Sequence, residues 1–244
     1  MSPNASLSEW FASPQGGYVL AREQECIDAV VADVFGYNAL QVGLPTYDLL
    51  RANRITHHLA CDRDGAAGVL AEPSELPFST ASLDLVVLPH VLEFARQPHH
   101  ILREIERVLV PEGSIVIVGF NPFSLFGARR LCSRGRGQLP WRGHYFSVPR
   151  LRDWLTLLGF EIEDTRFGCH APPAHSAKWQ ERWQFMERAG KRWWPVCGGF
   201  FVIHAIKRVQ GMRLITPKWR SKAANAKSLA PIARGRPVAH KHRT

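Results

Sequence analysis

Continuous apolar runs alternate with amphipathic stretches along most of this chain. Leu83–Leu88 (LDLVVL) and Ser114–Phe120 (SIVIVGF) are runs rich in β-branched and aliphatic residues, the pattern of strands buried on both faces. Between them, Pro98–Val110 sets Ile101, Leu102, Ile105, Val108 and Leu109 on one 3.6-residue stripe. Pro98 suits a helix start and Pro111-Glu112-Gly113 a stop. Strand, helix, strand predicts a βαβ unit with parallel strands and a right-handed crossover. Shorter strands are expected at Ala39–Gly43 and Ile55–Cys61, with another ending at Ala71. Ser147–Phe160 predicts a second amphipathic helix: Ser147 is the N-cap, Leu151, Trp154, Leu155 and Leu158 form its apolar face, and Gly159 closes it. Glu161–Gly168 alternates, as a strand near an edge does, and Phe200–Lys207 is the last strand. Ala171–Arg192 reads as a loop plus a short helix. The fold class is α/β with an open, mainly parallel sheet.

Charge divides the chain. The last acidic residue is Glu187, and Lys207–Thr244 holds eleven Lys or Arg, whereas residues 1–206 are net −1. The net +10 therefore belongs to the tail, and a reading of the whole protein as a nucleic-acid binder loses its support. The tail lacks a sustained apolar period and is expected to be disordered. It reads either as a solubilising extension or as an arm that holds nucleic acid or an anionic surface by salt-sensitive contacts. The expected organisation is a helical or irregular segment over 1–36, one domain over 37–208 and the basic tail over 209–244. No apolar run reaches the roughly 20 residues of a membrane span. No secretory leader pattern opens the chain, and five scattered cysteines give no disulfide framework. A reducing cytoplasm is the expected location.

In open parallel sheets, ligands bind outside the carboxyl ends of the strands. There the sequence carries an ordered series: Glu72, then Leu76-Pro77-Phe78, a polar turn Ser79–Ser82, and Leu83-Asp84-Leu85-Val86-Val87. It continues with Glu104-Ile105-Glu106-Arg107-Val108-Leu109, Pro111-Glu112-Gly113, and Gly159-Phe160 before the next strand. From Ala71 to Phe120 this series resembles the class I S-adenosylmethionine-dependent methyltransferases of the type 11-like domain. The resemblance implies a Rossmann-like fold with an antiparallel last strand, S-adenosylmethionine as cofactor, and methyl transfer to an unassigned acceptor. The first half departs from the family's pattern. Only Gly43 remains of the glycine loop, Gln41 stands at the acidic position, and Pro45 removes an N–H donor. Only 28 residues separate Gly43 from Glu72, too few for two helical crossovers. The first half is expected to be shortened, with Tyr47–Arg54 barely two helical turns. Cys61–Val69 reads alternatively as a tight turn between antiparallel strands.

The resemblance places Gly43, Asp62 (or Asp64), Glu72 and Leu88 around the cofactor, and His90 and Asn121 toward the acceptor. Each has a plainer reading beside it. Gly43 suits a strand-ending turn, Asp62 and Asp64 a DRDG turn, Glu72 a solvated strand end, His90 simple packing, and Asn121 an Asn-Pro turn. Direct methyl displacement needs alignment more than acid–base groups. The pairs His57-His58 and His99-His100 lack further ligands at metal spacing. The competing functional class is a methyltransferase fold that has lost turnover and serves as a binding module.

Overall fold

In a computed structural model of the chain, which describes residues 3–63, 67–132, 140–170 and 192–209, the two long apolar runs lie side by side at the centre of one sheet. The strands are β1 (Asn38–Val42), β2 (His57–Asp62), β3 (Val69–Leu70), β4 (Leu83–Pro89), β5 (Leu109–Phe120), β6 (Phe160–Gly168) and β7 (Phe200–Lys207), in the order β3-β2-β1-β4-β5-β7-β6. The pairs from β3 to β5 are parallel, while β7 runs antiparallel to both β5 and β6. This is the expected Rossmann-like arrangement, and the alternating segment at β6 is indeed an edge.

Both sheet faces are covered, as continuous apolar strands require. Leu40, Val42, Val86, Leu88, Ile115 and Ile117 face one layer, made of α4 (Pro98–Val108) and α6 (Val148–Leu157). Ala39, Leu85, Val87, Val116 and Val118 face the other, made of α1 (Pro3–Phe11), α2 (Pro14–Val31) and α5 (Leu125–Cys132). A short helix, α3 (Val91–Phe94), follows β4 directly. Each buried Leu, Ile or Val adds about 1.5–3 kcal/mol of burial free energy, so the β4–β5 centre anchors the domain.

The shortened half departs from expectation in two ways. Residues 43–56 form turns, not the two helical turns expected at Tyr47–Arg54. The two N-terminal helices cover that face instead, with Val19, Ile27 and Val31 of α2 in one core with Leu49, Leu50 and Ile55. Second, β2 and β3 pair in parallel, Cys61 with Val69 and Asp62 with Leu70, rather than through an antiparallel turn. β3 has only two residues and ends at Leu70, so this pairing asks little of its short connection. β5 begins at Leu109, two residues before the expected helix stop, and carries an irregularity opposite Leu83–Leu85, with Glu112 at φ +64°. Asp64, the 171–191 stretch and the basic tail lie outside the described residues.

Candidate functional site

The carboxyl ends of β2, β3 and β4 open into a cavity of about 460 Å³, whose walls include Arg63, Glu72, Val91, Phe94, Gln97 and Ile101. The volume lies in the range of small-molecule sites, which are mostly apolar with a few placed polar groups. Arg63 Nη2 donates to Glu72 Oε2 at 2.5 Å across this cavity's rim. Both side chains are about half exposed, so the pair is worth little in stability and opens readily.

Several members of the ordered series seen in the sequence brace the chain near the cavity. Glu104 Oε1 accepts from the Leu76 N–H at 2.8 Å. Arg107 donates to the Leu76 and Phe78 carbonyls at 3.2 and 3.0 Å, and to Glu104 at 2.7 Å. The Arg107 guanidinium beside Glu104 holds its carboxyl below the usual range. Together they fasten Leu76-Pro77-Phe78 onto α4, directly after the segment that carries Glu72. Asp84 has a similar duty. Its Oδ2 accepts from the N–H groups of Tyr37 and Asn38 at 2.8 and 2.9 Å, fixing the start of β1. A Cβ on Gly36 would come within 2.3 Å of the Asp84 side chain, so glycine is required for this approach.

The glycine loop is organised from within by Gln41. Its Nε2 donates to the carbonyls of Gly43, Leu44 and Tyr47 at 3.1, 3.0 and 2.8 Å, and its Oε1 accepts from Leu49 N–H at 3.0 Å. Gly43 (φ +85°) and Leu44 (φ +50°) are both left-handed, which turns these carbonyls toward one amide. The Gly43 N–H donates to the Cys61 carbonyl at 2.7 Å. A carboxylate at this position would face three carbonyl oxygens, to which the amide instead donates.

Of the residues expected at the site, Glu72 lines the cavity. Asp62 is buried beside it, its Oδ1 accepting from the Arg63 N–H at 2.7 Å. Gly43 is committed to the loop's internal bonds, and Leu88 is core. His90 and Asn121, expected to face an acceptor, take a different place: both are buried side chains bound to protein groups. Asn121 Nδ2 donates to the carbonyls of Val196 and Gly198 at 2.7 and 2.9 Å, while its Oδ1 accepts from Phe123 N–H at 3.0 Å. It joins the exit of β5 to the entrance of β7.

His90, 1% exposed, directly follows β4 with φ +57°. Its Nδ1 lies 3.1 Å from Glu93 Oε2 and its Nε2 3.1 Å from Glu23 Oε1 on α2. Glu93 Oε1 also accepts from the Phe120 N–H. The rings of Phe11 and Phe120 close the site at 5.7 and 4.2 Å. Burial opposes a charged imidazolium, but Glu23 and Glu93 outweigh it and lift the His90 pKa to about 10. Burial raises Glu93 as well, against the pull of His90. With a carboxylate on each nitrogen, both ring N–H groups donate and the imidazole is cationic. The triad ties the N-terminal helices to the strand exit beside the cavity. Arg63, Val91, Phe94 and Gln97 were missed by the sequence reading; Arg63, between two aspartates at a strand end, was the one with a visible signal.

Residues 55–117 match the methyltransferase domain family. The protein YafS of Escherichia coli is 34% identical over 150 residues, covering 61% of this chain and 60% of YafS. The protein Mb2026c of Mycobacterium bovis is 28% identical over 179 residues, 69% of this chain and 62% of its own. The chain thus spans about three-fifths of these relatives' lengths. Among solved structures, a chain from the complex of the Haloferax volcanii Trm112 methyltransferase activator with a methyltransferase superposes with a TM-score of 0.61. It is 16% identical, covering 86% of this chain and 99% of that one. A methyltransferase dependent on S-adenosylmethionine (SAM) from Thermotoga maritima gives 0.56 at 16% identity, covering 75% and 87%. The fold of this chain is thus the one shared with these methyltransferase structures, and its segment 55–117 is similar to the methyltransferase domain family.

Proposed function

We propose that this chain binds S-adenosylmethionine in the cavity at the carboxyl ends of β2–β4 and transfers its methyl group to an acceptor. The observation that carries the reading is Glu72: a carboxylate whose ion-pair partner among the described residues is the exposed Arg63, on the rim of a cavity of mixed apolar and polar lining at the strand ends. The residues fit the adenosyl half of the cofactor. Val91, Phe94 and Ile101 supply apolar walls for a flat ring, and Glu72 is an acceptor for a ribose hydroxyl or an exocyclic amine. Asp62 holds the Arg63 backbone in place, and Gln41 holds the Gly43–Tyr47 loop. When bound, the cofactor supplies an electrophilic methyl on a sulfonium, open to direct displacement. His90 and Asn121 act as positioning residues, fixing the exits of β4 and β5 from which an acceptor is presented.

Calorimetric titration of the full chain with S-adenosylmethionine and S-adenosylhomocysteine tests this. Both bind the native protein, and Glu72→Ala weakens both by about tenfold or more, the worth of a charge-assisted hydrogen bond. Absence of binding by the native chain overturns the reading.

A further inference from the structure

Six of the eleven exposed large apolar side chains among the described residues lie on two segments at one end of the sheet. Phe123, Leu125 and Leu131 belong to the segment leaving β5, and Trp193, Trp194 and Val196 to the one entering β7. Since these strands are antiparallel, with Phe120 opposite Phe200, the two segments share the carboxyl-end rim. Asn121 binds both of them, through the Val196 carbonyl and the Phe123 N–H. α5 turns Phe126 into the core and leaves Leu131 outside. Phe123, Leu131 and Trp193 are 71%, 72% and 71% exposed. Apolar surface grouped in this way marks an interaction site.

Charge shows what kind of partner covers it. Among the described residues 121–132 and 140–147 there are three arginines, Arg129, Arg130 and Arg142, and no Asp or Glu. Residues 192–199 add Arg192 and again no acid, although the chain holds 21 acids elsewhere. Arg129 and Arg130 lie over the Trp141 and Tyr145 rings at 4.7 and 5.2 Å. We propose that this rim docks on the surface of an anionic lipid bilayer, with the aromatic and aliphatic side chains entering the headgroup–acyl boundary and the arginines meeting lipid phosphates. Tryptophans and long basic side chains suit that boundary because each has an apolar body and a polar end. Each basic group near an anionic leaflet adds attraction that salt screens. A nucleic acid accounts for arginine and tryptophan, but not for Leu125, Leu131 and Val196, which cannot stack on bases as rings do.

The test uses the full chain without cofactor, so its outcome is separate from that of the methyl-transfer reading. Sedimentation with vesicles of phosphatidylcholine alone, or containing phosphatidylglycerol, is read at about 0.15 M salt. The basic tail is the same in every variant, so differences report on the rim. Native protein binds the phosphatidylglycerol vesicles. The double variant Phe123→Ser/Leu131→Ser binds them about tenfold more weakly, with an unchanged thermal midpoint. Should that variant melt early, Trp193→Ser/Trp194→Ser on the other segment gives the same reading independently. The proposal is overturned if native protein ignores these vesicles, or if the folded variants bind as native does. It is equally overturned if the variants lose self-association or binding to an RNA homopolymer while vesicle binding stays.

Discussion

Raising the pH from about 7 to about 8.5 isolates the charge on His90. Its folded pKa lies near 10 against an ordinary 6.5, so the folded state keeps a proton that the unfolded chain releases. The sign follows: this stabilisation is complete below about pH 6.5 and is lost as the pH rises through about 10. Within the window the slope approaches 1.4 kcal/mol per pH unit, giving a loss of about 2 kcal/mol. Of the other shifted groups, His204 and Cys61 act outside it. His204 is held below its ordinary value by burial and matters in acid, and the Cys61 thiol, pushed up by burial to about 11, contributes from about pH 9. Burial raises Glu93 from its ordinary value, so it acts with the same sign as His90: its stabilisation is present in acid and lost as the pH rises through its folded value. Urea unfolding followed by circular dichroism across the window measures the slope. Glu23→Gln removes one of the two carboxylates that raise His90, and should bring the end of the alkaline loss to lower pH while keeping a hydrogen bond to Nε2. A flat native profile, or a Glu23→Gln profile that superposes on it, would refute a buried imidazolium.

Three further outcomes follow from the same geometry. Glu72→Ala leaves the unfolding free energy within about 0.5 kcal/mol, because its ion pair is exposed, while Arg63→Ala frees Glu72 and leaves cofactor affinity equal or higher in calorimetry. Asn121→Ala strands the Val196 and Gly198 carbonyls and the Phe123 N–H, costing about 2–4 kcal/mol in urea unfolding. Gln41→Glu sets a carboxylate against three carbonyls and destabilises by a similar amount near neutral pH. In that variant, stability returns as the pH falls and the carboxyl protonates, so an unchanged acid profile would count against the arrangement.

The centre of the fold was legible because β4 and β5 are buried on both faces and their sequence has nothing to conceal: an apolar run leaves little choice but an interior strand. The amphipathic stripes of α4 and α6 were equally plain, since Leu102, Ile105, Leu151 and Leu155 recur with the helical period. The first half was not legible in the same way. A strand of two residues such as β3 has no period to read. What replaces the missing crossover helices is α2, some tens of residues upstream, through Val19, Ile27 and Val31. Periodicity gives the apolar face of α2 but not its address.

The site divides along the same line. Motif residues could be found from order and spacing, yet spacing cannot separate a residue that touches a ligand from one that braces the residue that does. Glu104, Arg107 and Asp84 belong to the series that marks the family, and all three bind backbone groups of this chain. His90 shows the difficulty most sharply. A histidine at a strand exit looks like chemistry, but its fate was decided by Glu23, 67 residues earlier. Once one carboxylate comes from α2 and another from α3, both ring nitrogens are spent and the ring is held as a cation. Such a ring has no nitrogen left to present to a ligand. Gln41 has the same logic in reverse. The loop that lacks its glycines turns its carbonyls inward, and an amide with donors to give stabilises that turn where a carboxylate would break it.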